Sequence, residues 1–287
     1  MSARIIVVGS VNLDLVVRCD RLPLAGETVL GGAFEKHPGG KGANQALAAR
    51  RLGAEVDLIA SVGDDDDAVA ALSLLRADDV GLDHCRVTPD APTGVALIAV
   101  AANGENQIVV APGANTVLSA ADLPDRLDGA LIGQLETPIP VLAEALNRCA
   151  GLTCLNLAPA ADIPEDILAH TNLIVVNETE GQFYGFDRLF AAGGLTALTL
   201  GARGAVLFRD GKEIARAAPP PVDAHDTTGA GDCFVAALTL ALAEGSEPGE
   251  ALAFACRAGA ASTLRAGAQP SLPTRGELER LVQGVRE

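Results

Sequence analysis

Positive charge is what this chain has least of: 21 Lys and Arg stand against 37 Asp and Glu in 287 residues, a formal charge of −16. Non-specific binding to nucleic acid or an anionic membrane depends on clustered Lys and Arg displacing counterions, so both partner classes are excluded and any phosphorylated ligand must be held locally. No apolar run reaches the ~18 residues of a membrane span. Met1-Ser-Ala-Arg leads straight into the strand-like Ile5-Ile-Val-Val8, so neither signal peptide nor anchor is expected. The cysteines, at 19, 85, 149, 154, 233 and 256, form no CxxC pair and no zinc spacing, and several lie in apolar runs. They read as reduced core thiols of a cytoplasmic protein. A GxxxxGK[ST] loop is missing, and Gly229-x-Gly231 has Phe234 where a dinucleotide fingerprint needs its third glycine. Internal repeats, low-complexity linkers and a clear domain boundary are missing too.

What is there suits one large α/β domain. Hydrophobic side chains make up 49% of the chain, enough to bury a sizeable core. The β-branched run Ile5–Val8 reads as a buried parallel strand, followed by Val56–Ser61, Ala130–Gln134, Leu152–Leu157, Leu173–Val176, Leu195–Leu200 and Ala205–Arg209. Helices are expected between them, at Ala68–Arg76 and Pro140–Ala150, and from Thr227 onward. Such alternation means βαβ units and a mostly parallel sheet. Two stretches differ. Leu15–Phe34 reads as short strands and turns, including Thr28–Leu30, and Thr93–Ala111 as a hairpin about Asn103-Gly104. Together they form a small added sheet, a lid over a site.

The stretch Asp226-Thr-Thr-Gly-Ala-Gly-Asp232 precedes an apolar helical run. Small residues at a helix N-terminus leave backbone N–H groups open to phosphate oxygens, favoured by the helix dipole. A carboxylate at the mouth of such a site repels phosphate unless it takes a proton from the attacking group, which points to phosphoryl transfer to a hydroxyl with Asp232 as base. The same residues also describe a turn whose Asp232 merely caps the helix.

Upstream, Gly39-Gly-Lys-Gly-Ala-Asn44 opens an alanine-rich helix and brings backbone close to a ligand, with Asn44 able to donate and accept. Asn12 and Asp14 follow the first strand in what reads as its loop, at the strand end where open α/β sheets bind ligands. Gln134-Leu-Glu136, Asn177-Glu-Thr-Glu180 and Thr199–Gly204 follow later strands. Each has a plain alternative as turn or helix-terminal chemistry, and the aspartates of Gly63–Asp67 read as a solvated helix N-terminus. Their joint occurrence after successive strands points to a site.

These residues resemble a known family. Gly39–Gly53 (GGKGANQALAARRLG) and Asp226–Cys233 (DTTGAGDC) are similar to the two signatures of the ribokinase, or PfkB-type, carbohydrate kinases. VGSVNLD (8–14), TGVALIAV (93–100), VVAPGAN (109–115), QLETP (134–138), NETE (177–180), TLGARG (199–204) and RAGAQPS (265–271) extend the likeness over nearly the whole chain. The resemblance implies a ribokinase-like three-layer α/β/α fold with a mostly parallel central sheet and a small β lid, residues 1–287 forming a single kinase domain and segments 15–35 and 93–111 the lid. It implies ATP-dependent phosphorylation of D-ribose at its 5-hydroxyl. Sugar-binding roles fall on Asn12, Asp14, Gly40, Lys41, Asn44 and Glu136. Asp232 corresponds to the base, and the amides of Gly229, Ala230 and Gly231 to the anion hole. Asn177 and Glu180 would help hold Mg²⁺, while Thr199, Leu200, Gly201, Ala202, Arg203, Gly204 and Cys256 would line the nucleotide, with Gly231 touching its phosphates. A K⁺ site would use Asp226, Thr228, Ser262, Arg265, Gly267 and Ser271, mostly through carbonyls. The partners implied are a small sugar and ATP, and a second copy of the chain through the lid.

The chain departs from the family pattern in three places. Gln182–Gly194 is short for the helix and strand usual there, so a stunted or irregular connection is expected. Cys256 stands where an amide often meets adenine, and Ala224-His225 replaces an apolar pair. A kinase of another sugar or nucleoside, and a catalytically weak sugar-binding regulator, remain alternatives.

Overall fold

The structure, a computed structural model, describes residues 2–284. Its strands are β1 (Arg4–Val8), β2 (Asn12–Cys19), β3 (Phe34–Gly39), β4 (Glu55–Gly63), β5 (Cys85–Thr88), β6 (Gly94–Ala101), β7 (Asn106–Ala111), β8 (Ala130–Gln134), β9 (Thr153–Asn156), β10 (Leu173–Asn177), β11 (Leu195–Thr199), β12 (Ala205–Arg209) and β13 (Lys212–Ala217). The helices are α1 (Lys41–Arg51), α2 (Asp66–Ala71), α3 (Ser73–Ala77), α4 (Ile139–Arg148), α5 (Glu165–Ala169), α6 (Glu178–Tyr184), α7 (Phe186–Ala191), α8 (Ala230–Ala243), α9 (Pro248–Ser262), α10 (Ala268–Ser271) and α11 (Arg275–Gly284).

Period-two geometry explains why the apolar strand runs are continuous. In β1, Ile5 and Val7 enter one core while Ile6 and Val8 enter another on the opposite face. Leu173 and Val175 of β10 divide in the same way from Ile174 and Val176. The first core is closed by α1, α8 and α9, whose core-facing alanines are buried and let backbones approach closely; the second is closed by Leu142 and Leu146 of α4, Ile167 and Leu168 of α5, and Leu189 of α7. This is the three-layer α/β/α arrangement.

The nine-stranded sheet runs β13-β12-β11-β10-β9-β8-β1-β4-β5, parallel from β11 to β5, with β12 and β13 antiparallel. Register sets Val8 beside Ile59 and Gly133, so the chain leaves β1 and β8 side by side at one edge. That edge, the carboxyl end of the parallel strands, is where Ser10, Glu136, Asn156 and Asn177 emerge. The second sheet, β3-β2-β6-β7, pairs β2 with β6 in parallel and the other neighbours antiparallel.

Several local expectations change. Asn12 and Asp14 lie within β2 rather than in a loop, because pairing with β3 and β6 starts at Asn12 itself. Thr28–Leu30 forms no strand and is largely exposed, with no neighbour to pair it. The expected helix at 68–76 breaks into α2 and α3 at Leu72. Residues 182–194 form the end of α6 and the short α7, a helical link rather than an irregular one, anchored by buried Tyr184 and Leu189. No described helix is long and apolar enough to cross a membrane.

Leu155, fully buried between the central sheet and α4, tests this packing. Leu155→Ala is expected to lower unfolding stability by about 2–5 kcal/mol, read from urea denaturation midpoints, and an unmoved midpoint would contradict the two-core arrangement.

Candidate active site

Two helix N-termini face each other across the carboxyl edge of the sheet. The first belongs to α1, whose N-cap is Gly40 at φ 89°, a conformation other residues adopt only with strain. Its opening turn carries no acid of its own. Glu136, arriving from β8, supplies one: its carboxylate accepts from the Lys41 amide (3.2 Å) and from the Ser10 hydroxyl, which in turn accepts from the Gly42 amide (3.3 Å). The unpaired N–H groups and dipole of α1 thus fix Glu136 in place. Lys41 Nζ lies 4.0 Å from the same carboxylate.

The second N-terminus belongs to α8. Its N-cap is Gly229, left-handed at φ 78°, and no side chain caps the helix, so Asp232 is not a capping residue. Instead Asp232 points into the protein, 8% exposed, and accepts from Asn44 Nδ2 (2.8 Å) and Gln45 Nε2 (2.9 Å) of α1. A Cβ on Gly231 would meet nothing within 4 Å, so the backbone there faces open space. The Ala230 amide donates to the Thr227 carbonyl (3.2 Å), a tight first turn that takes this one of the three expected anion-hole amides out of use in this conformation. Asn44 Oδ1 is buried with no hydrogen-bond partner and is free to accept from a ligand hydroxyl.

Lys41 stands among four carboxylates, those of Asp232, Glu136, Glu180 and Asp14. Burial alone would lower its pKa, but these acids outweigh that and raise it, so the ammonium is retained. The acids move upward in turn. Asp14 is pushed up to about 7 by burial and then by Glu136 and Asp232, with His37 and Lys41 opposing. Burial raises Asp232 against the pull of Lys41, Asn44 and Gln45, and raises Glu180 against its bond from the Asn177 amide.

Beside this centre lies a cleft of about 830 Å³ between the small sheet and the loops at 224–228 and 267–268. It reaches the site at Asp14 and is walled by Val16, Ile98 and Ile108 from the sheet. The two points where the chain enters and leaves that sheet are tied together. Asn115 accepts from Val11 N (2.9 Å) and donates to Asn12 Oδ1 (2.8 Å), while Asp65, the N-cap of α2, accepts from Thr93 N (2.8 Å) and Oγ1 (2.6 Å).

The remaining predicted residues fall in two groups. Asn177 and Glu180 form a reciprocal cap on α6, each side chain accepting from the other's amide (2.8 Å). Thr199 to Gly204 make the hairpin between β11 and β12, with Gly201–Arg203 forming a short 3-10 turn and Arg203 paired to Glu178 (2.6 Å). Cys256 is buried, its thiol donating to the Ala217 carbonyl. In the second group Asp226 accepts from Thr228 N and Oγ1 (2.9 and 2.7 Å) and from Gly267 N (2.8 Å). The Ser262 hydroxyl donates to Gly259 O (2.8 Å) and that of Ser271 to Ala268 O (2.9 Å), while the Arg265 guanidinium pairs with Glu277 (2.9 Å) and donates to Ser271 O (3.2 Å). Among the described residues no three His, Cys, Asp or Glu side chains are grouped to hold a metal by themselves.

Comparison with known proteins agrees with this arrangement. The profile of the pfkB family carbohydrate kinases matches residues 2–275. The chain belongs to the PfkB family of carbohydrate kinases. The ribokinase of Bacillus subtilis is 40% identical over 293 residues, covering 97% of this chain and 99% of its own, and that of Haemophilus influenzae is 34% identical, covering 96% and 97%. Among solved structures, a ribokinase from Thermotoga maritima superposes with a TM-score of 0.86 at 31% identity, covering 98% and 99% of the two chains. The Arabidopsis thaliana ribokinase, solved with ribose and ATP, gives a TM-score of 0.84 at 29% identity, covering 99% of each.

In this PfkB-family kinase, sequence reasoning passed over Ser10, Gln45, Asn115 and Asn156. All four are at least nine-tenths buried. Their signal was polarity inside otherwise apolar or alanine-rich stretches, a weak cue until the partners are known.

The raised pKa of Asp14 carries a sign. The protonated form is favoured on folding, so its contribution is full below the unfolded carboxylate pKa and is lost as pH rises through about 7. Asp14→Asn removes that loss. Its melting temperature is expected to exceed wild type by a growing margin from about pH 5 to about pH 8 in the ligand-free protein, and a margin independent of pH would refute the assignment.

Proposed function

We propose that this kinase transfers the γ-phosphoryl group of ATP to the 5-hydroxyl of D-ribose, giving ribose 5-phosphate, with Asp232 as general base. The observation that carries the reading is Asp232 itself: a buried carboxylate at a helix N-terminus, held by two amides and facing open backbone at Gly231. Ribose as the substrate is supported by the relatives named ribokinase and by the likeness to the one solved with ribose and ATP.

Asn12, Asp14, Lys41, Asn44 and Glu136 bind the sugar through hydroxyl groups, the unpartnered Asn44 Oδ1 among the acceptors. Asp232 accepts the proton of the 5-hydroxyl as its oxygen attacks the γ-phosphorus, and ADP leaves. The amides of Gly229 and Gly231 stabilise charge on the transferring group, joined by that of Ala230 if the first turn relaxes. The hairpin at 199–204 and the buried wall at Cys256 border the nucleotide. Closure of the small sheet over the cleft excludes water, which would otherwise accept the phosphoryl group.

Two ions fit the donor atoms present. Mg²⁺, arriving with ATP, would be held near Asn177 and Glu180 through waters, where it offsets phosphate charge that the four site carboxylates would otherwise repel. K⁺ suits an all-oxygen set made of Asp226, Ser271 and the carbonyls of Thr228, Ser262, Arg265 and Gly267; Asp226 is held ionised, its desolvation outweighed by bonds from Thr228 and Gly267. There it would supply fixed positive charge beside the Gly229–Gly231 turn.

The second sheet leaves apolar side chains uncovered, with Leu97 53% and its register partner Val109 66% exposed. A homodimer through this sheet covers them and its edges.

Two experiments test the reading. ADP release from ATP·Mg²⁺ should require ribose, rise with K⁺ over Na⁺, and fall by about 10²–10⁴-fold in Asp232→Asn with ribose affinity largely kept. Turnover on adenosine or fructose instead would move the substrate, and full turnover in Asp232→Asn would sink the base. In sedimentation, wild type should run as a dimer and Leu97→Lys combined with Val109→Lys as a monomer; an unchanged species would place the interface elsewhere.

A further inference from the structure

Asp232 is not held by sugar-binding residues alone. Gln45, the next residue of α1 after Asn44, is fully buried and spends its whole amide on three partners. Its Nε2 donates to Asp232 Oδ1 (2.9 Å) and to Asn156 Oδ1 (3.2 Å), and its Oε1 accepts from Gln134 Nε2 (2.6 Å). The orientation of that amide is fixed by chemistry, since an ionised carboxylate can only accept. Asn156 is itself anchored, donating to the Val175 carbonyl (3.3 Å). A chain of amides from β8 and β9 therefore reaches the carboxylate through one side chain.

From this geometry we infer that Gln45 is a positioning residue of the phosphoryl transfer, anchoring Asp232 Oδ1 while Asn44 holds Oδ2, so that the carboxylate is oriented for proton acceptance. The inference rests on Asp232 being the base. Gln45 reaches no sugar-facing position of its own, because each of its amide atoms is already bonded. It acts on Asp232 in two ways. It removes rotation of the carboxylate, and its N–H supports the charged form, as a donor to an anion does. The groups facing Asp232 are Lys41, Asn44 and Gln45 from α1 and Glu136 from beyond β8; Asp14 lies within range on β2 and Cys233 is its own neighbour. Lys41 and the two amides are what favour the anion against burial and Glu136. Loss of the Gln45 donor leaves the carboxylate easier to protonate.

The test is Gln45→Met, close in volume but without the amide, assayed for kcat and KM with ribose and ATP·Mg²⁺ across pH. The expected result is a kcat lower by about tenfold to hundredfold, as for loss of one hydrogen bond to a charged group. KM for ribose should stay within about threefold, and the acid limb of the kcat profile should move to higher pH. In an Asp232→Asn background, Gln45→Met should cost nothing further, because the group it serves is gone. An unmoved acid limb, or an undiminished second loss in that background, beside an inactive Asp232→Asn would overturn this inference while leaving the base in place. Full turnover in Asp232→Asn alone would overturn both. Should Gln45→Met fail to fold by circular dichroism, Gln45→Glu carries the same test. It keeps the volume and an acceptor for Gln134, and a second carboxyl beside Asp232 must raise the acid limb; a limb at its wild-type position refutes the inference.

Discussion

A carboxylate held away from water is the constraint on which the rest of this molecule turns. As the proposed base, Asp232 would have to stay an anion to accept a proton, yet burial opposes its charge and Glu136 adds to the opposition. The structure answers with Lys41, Asn44 and Gln45, all within the first five residues of α1. For those side chains to reach Asp232, the N-termini of α1 and α8 must meet over the carboxyl ends of β1, β8 and β9. The alanines of both helices permit that approach by adding little width.

The same logic governs Glu136. It is fixed by the Lys41 amide and Ser10, so the dipole of α1 is balanced by an acid from another strand instead of one in its own first turn. An acid placed there by the local sequence would cap the helix in solution. Glu136 can do so only once β8 lies beside β1, which couples formation of the site to completion of the sheet.

The fold was largely legible. Runs such as Ile5–Val8 and Leu173–Val176 alternate between two cores, and an unbroken β-branched run flanked by glycine or polar residues has few other solutions. Less legible were places where pairing partners are distant. Asn12 looked like a loop residue because nothing nearby shows that it pairs with Gly39 and Gly94. Thr28–Leu30 had strand-like composition and no partner. Asp65 was read with its neighbours as solvated, yet its carboxylate holds Thr93 at the start of β6, a bond across 28 positions of chain.

By itself the sequence determined the elements and the chemistry on offer: glycines where backbone must turn or lie open, amides and acids after successive strands, and two signatures carrying Lys41, Asn44 and Asp232. These are local properties, set by propensity and spacing. Only the tertiary structure decided who answers to whom. Gln45, one letter among alanines, became the link between Gln134, Asn156 and Asp232, and Asp232 turned from a plausible cap into a buried carboxylate held from α1. The reason is physical. A hydrogen bond across 187 positions depends on where three strands and two helices come to rest, and no local pattern encodes that position.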